Sequence, residues 1–437
     1  MALALVIALL CTSCVEKIDE DRGAQSPTAT SSRGDDRNPT ASVVEQFAGE
    51  RMSFGVVPSA PEAASGDPIL VGMINQEDTP LGSFPELRLG AQAAVEFINQ
   101  ELGGVGGRPI ELVACITSFS VERSQSCAQT LVQRGVVAVL GGIDITSNGS
   151  IPVLERNETP YVGGIPVNFD EMRSPISFQF SGGAPGAFVA FAEHAARVLG
   201  ARRVVVAYGD YESIRASAID YGVRTLRRRG VEEITEIAFP ITSTDFLPVL
   251  TKAKQADPDA IFLGAADSAC APAMKTSHEL GLSAKLYLVG ACAAPKIATS
   301  VGEDAVEGRI FNVEGPIDPQ NREGQLYFAV TERYGDPNLP AQSAATVTFR
   351  SMMNLYALLD ELGPDGISRQ SLLELLRSTR KRPSFNGHDY TCDGKQVPGL
   401  PALCAPQQIL VERRSGAIVP VSDWIDVPAV LREVLER

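Results

Sequence analysis

The sequence predicts an α/β fold made of two consecutive units, each a parallel sheet covered by helices. Three observations predict it. Apolar β-branched runs alternate with helical-period segments across short connections, which is the pattern of a parallel sheet buried on both faces. The alternation occurs twice, over stretches of about equal size. The 437 residues are 44% hydrophobic and 21% charged, enough to build two cores.

The first unit opens at Pro68 with the strand PILVGMI, followed by PELRLGAQAAVEFINQELGG, where Leu87, Ala91, Ala94 and Ile98 share one helical face. Gly103 and Gly104 stop that helix, and IELVAC reads as the next strand. A helix through CAQTLVQRG, a strand VVAVLGG, a helix near IPVLERN and a strand TPYVGG follow. The second unit begins after SFQFSGGAPG, with a helix over 187–199, then the strand ARRVVVAY and the helix ASAIDYGVRTLRRRG. The strand EEITEIAFP, the helix FLPVLTKAKQA, the strand AIFLGAA, the helix MKTSHELGL and the strand AKLYLVG continue it. Two further helices cover 342–362 and 368–380, and QQILVERRSGAIVPV reads as a hairpin turning at Ser415-Gly416.

The N-terminus is of another kind. ALALVIALL, residues 2–10, is too short to span a bilayer but has the size of a signal-peptide h-region, although no basic n-region precedes it. It runs into CTSC, where Thr12 and Ser13 precede Cys14. This resembles a bacterial lipobox, with Cys11 standing where Leu is usual, and implies a signal peptide over 1–13 and lipid on Cys14. The alternative, a CxxC metal or redox pair, expects a folded domain around it. Residues 14–66 are instead rich in Ser, Thr, Pro, Asp and Arg and read as a disordered tether, with an end-to-end distance on the order of 40 Å.

The folded remainder resembles the leucine/isoleucine/valine-binding branch of the type I periplasmic binding proteins. The pieces that carry the resemblance are PILVGMINQEDTPLGSFPELRLGAQAAVEFINQELGGVGGRPIELV, LVQRGVVAVLGG, PVLERNETPYV and DAIFLGAADSACAPAMKTSHELGLSAKLYLVG, in that order and spacing. The resemblance implies two Rossmann-like lobes with parallel sheets, joined by a three-segment hinge. The chain crossings would fall near Gly182, Gly315 and Asn386, giving lobe 1 as 67–182 and 316–385 and lobe 2 as 183–315 and 386–437. It also implies a small-molecule solute and an ABC permease as partners.

Beyond Cys11 and Cys14 the chain has six cysteines, an even number for an exported domain. Cys115 ends a strand before the helix of Cys127, Cys270 and Cys292 follow neighbouring strands, and Cys392 and Cys404 flank one loop, so these three local disulfides are expected. Free buried thiols are the alternative. His194, His278 and His388 do not stand at ligand spacing from a cysteine pair, so no metal site and no cofactor is expected.

Ligands of open α/β sheets bind at the carboxyl ends of strands. After VGMI come Gln76, Glu77, Asp78 and Phe84. The resemblance makes Phe84 an aromatic cap over the ligand, and packing against the next helix is the alternative. In GGIDITSNGS, Asp144, Thr146 and Ser147 fall where relatives bind the ligand carboxylate with hydroxyl and backbone N–H groups; helix capping is the bland role for the same residues. Ile165 and Val167 in GGIPV stand where relatives offer backbone groups. In the second unit, Tyr208 and Tyr211 are candidate stacking aromatics, and Asp267 follows AIFLG. Relatives that bind α-amino acids carry an acid after the strand equivalent to LYLVG. Here that segment is GACAAP with Cys292, and Asp267 or Asp144 is the expected substitute to pair an ammonium group.

Composition and motifs limit the function. With 53 acidic against 38 basic residues, a net charge of −15 excludes a phosphate-backbone partner. The chain has no GxSxG, HExxH, P-loop or complete GxGxxG, so an enzyme is not expected. The expected function is solute capture for an ABC importer by hinge closure, outside the cytoplasm. The alternative is a ligand sensor that signals to a partner without transport.

Overall fold

The computed structural model of the chain describes residues 42–79, 82–316, 318–340 and 342–435. The expectations for Cys11, Cys14, the signal peptide and the tether as far as residue 41 lie outside the described residues.

Five parallel strands form the first sheet, in the order Ile110–Ile116, Ile69–Asn75, Ala138–Gly141, Tyr161–Val162, Ser177–Phe178. The strand from Ile69 is buried on both faces, as a central parallel strand must be. The helix Pro85–Glu101 covers one face and buries Leu87, Ala91, Ala94 and Ile98 completely. It packs along the helix Ala345–Leu362 so closely that a Cβ on Gly90 would lie 2.6 Å from the Ala345 carbonyl, which only glycine permits.

The second sheet has seven strands, in the order Ala417–Pro420, Ile409–Arg414, Ile310–Val313, Lys285–Leu288, Ala260–Gly264, Arg203–Gly209, Glu233–Phe239. Its last five in that order are parallel, and the first two add an antiparallel hairpin. The hairpin turns at Ser415 and Gly416, both with positive φ, as the dipeptide predicts. Cys115–Cys127, Cys270–Cys292 and Cys392–Cys404 are the three disulfides, matching the expected local pairs.

Three expectations need correction. First, the tether does not extend to residue 66. Val43–Gln46 is a helix, Arg51–Met52 and Gly55–Val56 pair as a hairpin, and Val43, Val44, Phe47, Met52 and Phe54 are buried in the core of lobe 1. This strap is held by tertiary contacts that composition does not show. The Glu101 carboxylate accepts from Ser42 Oγ and Val44 N (both 2.7 Å), Arg322 lies 4.5 Å over the Phe47 ring, and Phe54 packs on Tyr356 and Phe385.

Second, the third crossing lies near Pro406 and not at Asn386. Residue Gln179, at the end of the first sheet, accepts from Cys404 N and donates to the Ala402 carbonyl at 2.8 Å each, and Tyr390 and Cys392 belong to the lobe 1 core. Third, the helix expected across 216–230 is locally π-helical over Ser217–Val223, where Gly222 admits the Phe188 ring. The helices Arg322–Tyr334 and Val427–Leu435 are additions, the latter covering a small core with Met172, Val397 and Leu400.

Phe54→Ala should cost about 3 kcal/mol, the usual range for an aromatic removed from a core. Urea unfolding checks this, and wild-type stability would mean that the strap does not hold the lobe.

Candidate ligand-binding cleft

The carboxyl ends of both parallel sheets present loops toward each other. From lobe 1 come 76–79 with 82–84, 117–120, 142–150 and 163–168; from lobe 2 come 210–213, 265–269 and 289–294. The lobes meet in this region. Tyr211 Oη donates to the Ile145 carbonyl at 3.0 Å, and its ring lies 6.4 Å from that of Phe119. Gly82 faces Asp267, and a Cβ there would lie 3.3 Å from Asp267 Oδ1. Two concavities of about 440 and 400 Å³ are present, one beside the strap at residues 51–55 and 382–384, the other lined by residues 238–242 and by Asp210 of the same loop as Tyr211.

Asn75 organises the lobe 1 loops from the end of its strand. Its side chain donates to the Phe84 carbonyl (2.8 Å) and accepts from Ile143 N (3.2 Å), and a Cβ on Gly142 would sit 2.2 Å from its oxygen. Asp144 is the second organiser. It is fully buried, Ser124 Oγ donates to it at 2.6 Å, and the Thr146 hydroxyl and amide donate at 2.8 and 3.1 Å. Burial raises its pKa, and these hydrogen bonds oppose the rise.

Behind it lies Glu171, also buried. It accepts from Tyr161 Oη (3.0 Å), Val167 N (3.0 Å) and Asn168 N (3.2 Å). Its pKa is pushed up to about 8, first by burial and second by the Asp144 charge. Glu171 thereby anchors the 165–168 loop in a lobe that already holds a second buried acid.

The candidate residues fall into distinct situations. Asp144 and Thr146 spend their polar groups on each other, which is a positioning role; the same carboxylate cannot also meet an ammonium group without giving up these bonds. The amides of Ile165 and Val167 are likewise engaged, by the Gly142 carbonyl and Glu171. Phe84 is buried in the lobe 1 core and its ring covers Gly82, and Tyr208 is buried in the lobe 2 core. Glu77 forms a two-pronged ion pair with Arg88.

Ser147 differs. It is fully buried, yet its hydroxyl has no hydrogen-bond partner among the described residues. Asp267 Oδ1 is buried and unpartnered in the same sense, and burial raises that carboxyl's pKa. The helix after Ser147, Ile151–Arg156, is a short one and receives no side-chain cap from Ser150.

Sequence reasoning missed Phe119, Ser213 and Lys296. Phe119 follows the strand Ile110–Ile116, so the strand-end rule points to it, and Ser118 and Phe119 both hold positive φ (41° and 57°), rare for such residues. Ser213 follows Tyr211 and has a buried, unpartnered hydroxyl. Lys296 is the second residue of the helix Pro295–Val301, and its charge acts on Glu86 and Asp267 from across the loop contact. The disulfide Cys270–Cys292 ties the 290–293 turn to the helix Cys270–Glu279, which follows Asp267.

Two parallel-sheet lobes with facing strand-end loops define a two-lobed binding protein. The model of the periplasmic binding protein family matches residues 68–399, and the chain belongs to that family, an extracytoplasmic family of solute-binding proteins. Among solved structures, it resembles a leucine binding protein from Thermotoga maritima with 20% identity and a TM-score of 0.65, over 82% of this chain and 99% of that one. It also resembles a fatty acid ABC transporter substrate-binding protein from Thermomonospora curvata (15%, TM-score 0.71, covering 84% and 96%). A third is a Rhodopseudomonas palustris solute-binding protein in complex with 4-hydroxybenzoate (19%, TM-score 0.68, covering 82% and 96%). At these identities the likeness shows the fold. No helix among the described residues is long and apolar enough to cross a membrane.

The buried acids make a pH prediction. Glu171 holds its proton more tightly when folded, so the stability it supplies is complete below its ordinary value of 4.5 and is lost as pH rises through about 8. Glu171→Gln keeps the shape without the titration. The variant should therefore gain on the wild type between pH 5 and 8 in thermal unfolding, and parallel profiles would contradict the shift.

Proposed function

We propose that this protein is the solute receptor of an ABC importer and that it closes over a small molecule with a carboxylate and an apolar body, a branched-chain amino acid or a related compound. The observation that carries the reading is the set of uncommitted buried polar atoms at the strand ends: Ser147 Oγ from lobe 1, with Ser213 Oγ and Asp267 Oδ1 from lobe 2. A buried polar atom without a partner is costly, and a ligand that supplies the partner recovers that cost on binding.

In this reading Ser147 donates to the carboxylate, Asp267 meets an amine or amide, and Phe119, Tyr211 and Phe84 bound the apolar part. Ile165 and Val167 add apolar wall beside them. Leucine, a fatty acid and 4-hydroxybenzoate, the molecules named for the similar structures, share a carboxylate on an apolar frame. That common chemistry supports a carboxylate as the group recognised. The permease is the proposed membrane partner, and lipid on Cys14 the proposed anchor.

Ligand binding to the folded state raises the melting temperature by mass action. A panel of aliphatic and aromatic monocarboxylates, amino acids and amides should include at least one that does so; no shift across the panel would sink the proposal. Ser147→Ala should weaken binding of that solute by about tenfold. Because the buried hydroxyl has no protein partner among the described residues, the same change should raise the stability of the unliganded protein, by about 1 kcal/mol. Cys14→Ser should release the protein from membranes in a fractionation experiment, and retention would refute the anchor.

A further inference from the structure

The crossings between the lobes are not three independent strings of chain. Glu314 stands on the second crossing, directly after the strand Ile310–Val313. Its Oε1 accepts from Ser181 Oγ (2.7 Å) and Gly182 N (3.1 Å) on the first crossing and from Gln408 Nε2 (2.8 Å) on the third. Its Oε2 receives Arg350 Nη2 at 3.1 Å, and the same guanidinium donates to the Glu314 carbonyl. Arg350 comes from the second turn of the helix Ala345–Leu362, which packs in lobe 1, and is 3% exposed. Gln408 is held in turn by Asn312, whose Nδ2 donates to Gln408 Oε1 at 2.9 Å.

The backbone is fitted to this junction. A Cβ on Gly182 would lie 2.6 Å from the Pro406 carbonyl and 2.8 Å from Gln408 Nε2, so the first and third crossings touch there. A Cβ on Gly315 would lie 2.8 Å from the Asn386 carbonyl.

We propose that Glu314 is the pin of the hinge, a positioning residue whose single carboxylate makes the three crossings move as one and thereby sets how far and along which path the lobes open. Three donors converge on one oxygen, and charge-assisted hydrogen bonds of this kind are shorter and stronger than neutral ones. A rotation that displaced one crossing alone would break its bond to Glu314 inside a water-poor junction. Rotation of lobe 2 about the pin, with the Arg350 anchor fixed in lobe 1, keeps all of them. Gly182 and Gly315 stand beside the pin, where neighbouring backbone comes too close for a Cβ.

The inference rests on the receptor reading only for the use made of closure, and its test is carried out without ligand. Spin labels on Glu96→Cys and Lys252→Cys, exposed positions on helices of lobe 1 and lobe 2, report the interlobe distance by pulsed electron resonance. In the full chain, Glu314→Gln combined with Arg350→Met removes the pair without leaving a buried unpaired charge. The expected result is a folded protein with a broadened interlobe distribution and amide exchange at 181–183 and 407–408 faster by about tenfold. Ser181→Ala, which deletes one donor and leaves the ion pair, should broaden the distribution less. A folded double variant with the parent distribution overturns the proposal; if the double variant does not fold, an unchanged distribution in Ser181→Ala does so. Failure of every solute in the panel would leave this result standing, so the two readings are separable.

Discussion

Parallel strands impose a direction. Each must be followed by a crossover that returns the chain to the same starting edge, so all the parallel strands of a lobe end on the same side. Two such lobes in one chain, joined where their strands end, necessarily turn their loops toward one another. Asn75, Asp144, Tyr211 and Asp267 are all placed by this rule, and the contact between Tyr211 and Ile145 is its direct consequence. The rest of the structure depends on that polarity. The helices between parallel strands make the crossovers, the disulfides Cys115–Cys127 and Cys270–Cys292 brace strand ends, and the hinge sits where the sheets exchange chain.

Within the lobe 1 loops, polar satisfaction separates positioning from availability. Asp144 gathers Ser124 and Thr146, and Glu171 gathers the 167–168 amides and Tyr161. These buried acids are tolerable because hydrogen bonds surround them, and desolvation is visible in their raised pKa values. Once their partners are subtracted, Ser147 remains as the hydroxyl with nothing to bind. A residue's type and place in a loop could not make that distinction, since Thr146 and Ser147 are adjacent and chemically alike.

Legibility followed the range of the interaction. The alternation of strands and helices, the Ser415-Gly416 turn and the three disulfide pairs depend on residues close in sequence or on neighbouring strands, and they were readable. The strap at 42–57 was not. Its few apolar residues, Val43, Val44, Phe47, Met52 and Phe54, sit in polar surroundings, and only lobe 1, with Glu101, Arg322, Tyr356 and Phe385, gives them a place to bury. The third crossing was misplaced for the same reason, because Ala402 and Cys404 are recruited to lobe 1 by Gln179, more than 200 residues earlier.

The sequence by itself determined the family, the two α/β units, the cysteine pairing and the set of strand-end loops from which a binding site must be drawn. Periodicity, turn chemistry and strand polarity are local or directional properties, and they are written along the chain. The tertiary structure alone decided which residues in those loops are spent and which are free. It also decided that an N-terminal segment folds onto lobe 1, and that Glu314 meets Ser181, Gly182, Gln408 and Arg350 at one point. Each of these depends on where distant groups come to lie in three dimensions, and on whether a buried donor or acceptor finds a partner there, a quantity no window of sequence contains.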